Sequence, residues 1–322
     1  LEKPGDLLGA LREFIEAGLA PEAALRALTG SPARMFGLEA DLGAVAVGRR
    51  ANLTLLSGDL EHKDARVRWV VIDGEPFEFR EDARPSRPAG RRAADAPTEG
   101  PEETEETQPP AAQPDAAEVT EAADEPAEEP TRRPSRREKP AVERTPTRID
   151  DLLVHEPDWP IETDGQRTPA WRPDGDVLLE NAYLIRITDE DLARGSLLIR
   201  DGRIAQLGER IDAPPGVTRI DLTGYVVMPG IIDAHAHIAA RGVNESSLSV
   251  TPEVRMEDVL VADDVNVYWA LTGGTTLMHL MHGSANTIGG QCTLVKLKYG
   301  RPAAEVLLDG RRRAVKWALG EN

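Results

Sequence analysis

Apolar residues recur at helical spacing near the start of the chain. Leu7, Leu8, Leu11, Phe14 and Ile15 share one side of a helix, and Gly18 fits its stop. Pro21 opens a second short helix with Ala24, Leu25 and Leu28 on one face. Ser31-Pro32 reads as the N-cap and first position of a third, ending near Gly37. The period then shortens to that of strands. Residues 51–56 and 67–72 read as strands, and Asp73-Gly74 signals a hairpin into residues 76–79. After a long polar interval the strand texture returns over residues 177–187. It continues through residues 197–200, the tight turn Asp201-Gly202 and residues 203–205, then residues 217–222 and 225–228. Residues 257–271 predict a helix stopped by Gly273-Gly274, and residues 275–281 an apolar strand. Strand, helix, strand in that order predicts parallel β/α units.

Composition divides the chain into three. At 322 residues there is room for two ordinary domains. The net charge of -18 argues against a nucleic-acid partner, but it is concentrated: residues 95–129 hold 13 Asp and Glu and no Lys or Arg. Twelve of the 25 prolines fall in residues 81–150, and no aromatic residue occurs between Phe79 and Trp159. Such a segment buries too little apolar surface to offset its chain entropy, which predicts a disordered, protease-sensitive linker over 81–150 between folded parts at 1–80 and 151–322. Cys292 is the only cysteine, so no internal disulfide forms. No run of 18 apolar residues exists, which predicts no transmembrane segment. Leu1 and Asn322 read as cut ends of a longer protein.

The candidate chemistry lies in the run Val227-Met228-Pro229-Gly230-Ile231-Ile232-Asp233-Ala234-His235-Ala236-His237. Histidines at i and i+2 on a strand face the same way, so His235 and His237 can reach one metal ion. Asp233 shares that face and can orient a ligand or join the shell. Polar residues inside an apolar run need a compensating partner. The bland alternative is two partly buried histidines satisfied by backbone groups.

This run, preceded by Gly224-Tyr225-Val226, resembles the first barrel strand of the amidohydrolase superfamily, which includes imidazolonepropionase, dihydroorotase, hydantoinase and adenine deaminase. Gly273-Gly274-Thr275-Thr276, the stretch His282-Gly283-Ser284-Ala285-Asn286-Thr287-Ile288-Gly289-Gly290-Gln291, and Lys316-Trp317-Ala318-Leu319-Gly320-Glu321-Asn322 are similar to an imidazolonepropionase-like subgroup. Residues 1–80 resemble the opposite end of the same family, through Ala17-Gly18-Leu19-Ala20-Pro21, Thr29-Gly30-Ser31-Pro32-Ala33 and Leu42-Gly43. Asn52 departs from the usual Asp in the following Ala-Asp-Leu, at a packing position.

The resemblance implies an α/β fold: an incomplete (β/α)8 TIM barrel with a small β-sandwich, in two partial units joined by the linker. Residues 1–80 would be the C-terminal part of a first unit. Residues 151–322 would be the N-terminal part of a second, with sandwich strands at 177–228 and first barrel strands at 229–322. It also implies a divalent metal, foremost zinc, held by His235 and His237, a small-molecule substrate, and hydrolysis of C–N bonds in amides, cyclic amides or dipeptides by metal-activated water. The catalytic base of such a site is not in this chain, so the piece is expected to be inactive alone; a non-catalytic scaffold unit is the alternative. Location at the C-terminal barrel face makes His282 and Asn286 candidates for substrate contact. His279 and His282, three apart, face opposite ways on an extended strand and are not expected to share a metal. His62 and His155 read as solvated loop residues, Cys292 as a small buried one, Gly289-Gly290 as loop-shaping, and Glu321 is undecided. Residues 51–79 and 177–228 each have an unfinished apolar face, and each is expected to find its cover in the other, the competing outcome being that each packs only on its own truncated barrel piece.

Overall fold

The computed structural model describes residues 7–79, 147–148, 175–245, 247–308 and 314–319. Helix α1 runs Leu7–Glu16 and buries Leu8 and Leu11; Gly18 follows at φ +105°. Helix α2 spans Pro21–Leu28, with proline in its first turn. Helix α3 spans Gly30–Met35, so that Thr29 and not the expected Ser31 holds the N-cap position, without a side-chain cap hydrogen bond. The shift has a local cause: Thr29 Oγ1 donates to the Leu25 carbonyl at 2.6 Å, which ties the end of α2 to the start of α3.

The strands follow the expected pattern closely. They are β1 Leu53–Leu56, β2 Val67–Ile72 and β3 Glu75–Glu78. A short β4, Thr147–Arg148, lies inside the stretch read as linker and pairs with the later β8; the rest of residues 81–150 falls outside the described residues. Then come β5 Val177–Leu184, β6 Leu192–Arg200, β7 Arg203–Gly208, β8 Thr218–Asp221, β9 Val226–Pro229 and β10 Ile231–Ala236. The single helix expected over 257–271 is broken. A 3-10 turn covers Met256–Val259, and helix α4 covers only Val265–Thr272. Between them Leu260 is extended, because it pairs with Ala240. Asp264 then caps α4 by accepting from Asn266 N at 3.0 Å. Beyond lie β11 Thr275–Leu280, β12 Ile288–Gln291, β13 Thr293–Lys296, α5 Ala303–Val306 and β14 Val315–Trp317. As the strand–helix–strand order predicts, β10 and β11 are parallel. β13 runs antiparallel to β11, so the parallel pattern does not extend past β11.

The two halves of the chain share one sheet. Its order is β3-β2-β1-β9-β5-β6-β7, with β8 on β5 and β4 on β8. The junction is β1 against β9, antiparallel, with Leu53 opposite Pro229 and Leu56 opposite Val226. Residues 53–56 thereby satisfy backbone groups that either half would leave as a bare edge. One apolar cluster takes Leu53, Leu55 and Trp69 from the first half and Val177, Leu197, Ile204 and Val227 from the second. A larger one joins Leu8 and Leu25 to Met228, Tyr268 and Val295. All described residues fall in one compact unit.

The two Asp-Gly hairpin turns, far apart in sequence, touch. Asp73, Gly74, Asp201 and Gly202 all have positive φ, the signature of primed turns. A Cβ on Gly202 would lie 2.6 Å from the Asp73 carbonyl oxygen. Ala51 N donates to Gly202 O at 2.8 Å, and Gly74 N to Ala51 O at 3.1 Å. Asn52 finds its use here, since its Oδ1 accepts from Asp73 N at 2.8 Å. The departure at this position is thus absorbed as a turn contact.

Asp73 also ties the nine-stranded sheet to the three-stranded sheet of β10, β11 and β13. Its carboxylate meets Arg50 at 2.9 Å, Lys296 at 2.9 Å and Lys298 at 3.0 Å. Burial alone would raise its pKa, but the hydrogen bonds and charges of Lys296 and Lys298 outweigh it and hold the carboxyl well below the usual carboxylate range. Asp73→Asn leaves these cations without their shared carboxylate and is expected to destabilise the chain by roughly 2 kcal/mol near pH 7, short of the loss from a fully buried pair. A depressed folded pKa contributes stability above the unfolded value and loses it as pH falls. Urea titrations should therefore show the difference from wild type shrinking below about pH 4.

Candidate metal centre

The chain passes from β9 in the nine-stranded sheet to β10 in the three-stranded one at Gly230, where a Cβ would run into the Thr276 side chain. Gly230 N donates to Asn52 O at 2.9 Å, so the first half of the chain anchors the strand that carries the histidines. Helix α3 and the segment after it support the same sheet from the other half: Ala33, Leu38 and Leu42 pack with Ile232, Leu277 and Leu294. At the end of β10 the side chains alternate. Ala236 is buried, and His235 and His237 on either side are exposed.

The two imidazoles stand side by side. Their Nε2 atoms are 3.0 Å apart, and their ring centroids 4.9 Å apart at 71°. Asp233 braces the approach, its Oδ1 accepting from His235 N at 3.0 Å. His237 Nδ1 lies 3.0 Å from the Met281 carbonyl oxygen. A carbonyl only accepts, so Nδ1 carries the proton and the Nε2 of the neutral ring is bare. Burial, then the charges of Lys316 and His237, lower the pKa of His235.

At 3.0 Å the two Nε2 atoms are close enough to share a proton or a cation. Tetrahedral zinc, at about 2.0–2.1 Å from each nitrogen, sets two ligand nitrogens roughly 3.3 Å apart. The pair therefore fits a divalent ion after a small opening. It supplies two ligands. Among the described residues no group of three or more His, Cys, Asp and Glu is placed to hold a metal.

The remaining candidates sit elsewhere. His279 is buried, its Nδ1 3.3 Å from Ala234 O and its ring against Phe36 at 4.8 Å between centroids. His282 and Asn286 are 1% and 0% exposed. Both ring nitrogens of His282 are engaged by backbone, Nε2 accepting from Glu245 N at 3.0 Å and Nδ1 meeting Gly283 O at 3.1 Å. Asn286 Nδ2 donates to Leu248 O at 2.7 Å and Thr251 Oγ1 at 3.2 Å. Both residues thus join loops. Cys292 is buried, and that burial raises its thiol pKa. His62 is exposed. His155 and Glu321 fall outside the described residues.

Three contributors escaped the sequence pattern. Met281 acts through its carbonyl, which no side-chain motif reveals. Lys316 is 8% exposed on β14, and its charge reaches His235. Asp264 holds the chain just past the histidines: its Oδ2 accepts from Ala239 N at 2.8 Å, and Ala239 sits at φ +61°, a strained value for a residue with a Cβ. The signal for Asp264 was present, since an Asp directly before the apolar Val265 is a good N-cap.

Known proteins carry related sequence. Residues 3–83 match the Amidohydrolase family. The chain is 32% identical over 149 residues to Amidohydrolase tasK of Hapsidospora irregularis, covering 40% of this chain and 15% of that protein. It is 35% identical over 88 residues to an adenine deaminase of Kosmotoga olearia, covering 27% and 15%. A third relative is a 5'-deoxyadenosine deaminase of Methanosarcina mazei, 35% identical over 66 residues and covering 20% and 15%. The chain thus spans 15% of the length of each of these three relatives. A crystal structure of an amidohydrolase from Thermotoga maritima is similar with 32% identity and a TM-score of 0.39, over 41% of this chain and 36% of that one. The chain is thus similar in part to amidohydrolases and deaminases, with residues 3–83 carrying the family match.

Proposed function

We propose that this chain is part of a metal-dependent hydrolase of C–N bonds in small molecules, with His235 and His237 as two of its metal ligands. The observation that carries the reading is the pair of Nε2 atoms 3.0 Å apart on exposed imidazoles at a strand end. The family match and the deaminase relatives support the reaction class. Amides, cyclic amides and dipeptides are the substrate classes proposed, and an imidazolonepropionase-like subgroup is the finer assignment, on the motifs at residues 273–276 and 282–291.

The chain's own residues would act as follows. His235 and His237 offer nitrogen ligands, Asp233 fixes the backbone beneath His235, and Met281 orients His237. A bound divalent ion, foremost zinc, would polarise the scissile carbonyl and lower the pKa of a water. A catalytic zinc takes three protein ligands, so the third ligand and the base are proposed to lie outside the described residues. On this reading residues 1–80 close one amidohydrolase unit, 81–150 form a linker, and 151–322 open a second unit. The count of two ligands favours one further reading, a non-catalytic scaffold unit.

The test is hydrolysis by the longest natural form of the protein. N-acyl amino acids, hydantoins, dipeptides and aminopurines should be assayed for release of amine or ammonia. Turnover that is lost on chelation and restored by zinc is expected. No turnover across that panel by zinc-loaded protein would favour the scaffold reading.

A further inference from the structure

We propose that His282 is a positioning residue for His237: it locks the Met281 carbonyl in place, and that carbonyl decides which nitrogen of His237 is left bare. The metal arm of this inference rests on the proposed function; the tautomer arm does not.

Met281 is held from both sides. Its N–H donates to Ala236 O at 2.9 Å, and its carbonyl receives His237 Nδ1 at 3.0 Å. The next residue, His282, sits in a slot shaped by two glycines. A Cβ at Gly289 would lie 2.5 Å from His282 Nδ1, and one at Gly290 would lie 3.0 Å from Cδ2. The ring bridges two loops at the histidine end of the sheet. Nδ1–H donates to Gly283 O, and Nε2 accepts from Glu245 N. Around it the segments 243–254 and 283–291 are zipped together. Gly283 N donates to Val243 O, Thr251 N to Ile288 O at 2.8 Å, and Gln291 N to Val254 O at 2.7 Å. Asn286 pins the middle through Leu248 and Thr251.

A buried imidazole with both nitrogens spent has one rotamer and one tautomer. It therefore fixes the backbone at 282, and with it the direction of the preceding carbonyl. If that carbonyl turned away, His237 would be free to move its proton to Nε2, the atom that faces His235. Backbone carbonyls set the tautomer of metal-binding histidines in this way, and their loss typically lowers metal affinity about 10–100-fold. The candidate substrate contact His282 thus acts one step behind the site.

The experiment is NMR of the whole chain, metal-free and labelled with 15N at histidine, together with a zinc competition titration. Wild type should show His237 protonated at Nδ1. His282→Ala should give mixed tautomers at His237 and about 10–100-fold weaker zinc binding. Gly289→Ala, which leaves the ring intact but displaces it, should shift both readouts the same way. His282→Gln keeps one acceptor and one donor and should stay within a few-fold of wild type, which a mere volume effect would not predict. A His237 that remains fully Nδ1-protonated in folded His282→Ala or Gly289→Ala protein overturns the proposal. Should His282→Ala not fold, Gly289→Ala and His282→Gln decide it. If wild type binds no zinc but the tautomer shifts as stated, the metal reading fails and the positioning role stands.

Discussion

Replacing His235 and His237 together by Ala is expected to abolish zinc binding by this chain, and replacing either one alone to weaken it by about 100-fold or more. The magnitude follows from the ligand count. Changing a group that merely orients a ligand costs about 10–100-fold, and each histidine here is half of the nitrogen supplied by the pair. The fold should survive both changes, because both side chains are exposed and neither belongs to an apolar cluster. Isothermal titration with zinc at pH 7.5, with far-ultraviolet circular dichroism as the folding control, checks this. Wild-type affinity in the double variant would place the metal elsewhere and remove the observation that carries the proposed function.

Leu55→Ala and Leu197→Ala are each expected to destabilise the chain by about 2–5 kcal/mol and to lower one and the same melting transition by roughly 5–15 °C. Leu55 is 2% exposed and Leu197 0%, and they share one cluster although 142 positions separate them (197 − 55). A sheet continuous through β1 and β9 unfolds as a unit when its core is cut on either side. If the two halves instead melted separately, Leu55→Ala would shift one transition and Leu197→Ala another. Calorimetry on the two variants distinguishes these outcomes. A wild-type scan with two independent transitions, each sensitive to one variant only, would mean that the shared sheet does not govern stability.

Much of the local structure was legible because it depends on short-range chemistry. The positive φ of Asp73-Gly74 and Asp201-Gly202 is a property of those dipeptides, so both hairpins stand where the pattern puts them. The common face of His235 and His237 follows from the two-residue period of a strand and needs no tertiary information. The broken helix at 257–271 shows the limit of that logic. Helical spacing continues through Leu260, but Leu260 pairs with Ala240, and a contact 20 positions away outweighs a weak intrinsic preference (260 − 240).

Tertiary structure alone decided how the ends meet and what the histidines mean chemically. An unfinished sheet face in residues 51–79 could be read from the pattern, but the register of Leu53 on Pro229 depends on which edges the whole fold leaves open. Asn52 looked like a departure until Asp73 came to lie on its side chain. His282 and Asn286 looked exposed to substrate, and packing buried them as rivets between loops. The bare nitrogen of His237 depends on a carbonyl 44 positions away. Backbone atoms carry no sequence signature, so a site that they orient is visible only once the chain has folded around it.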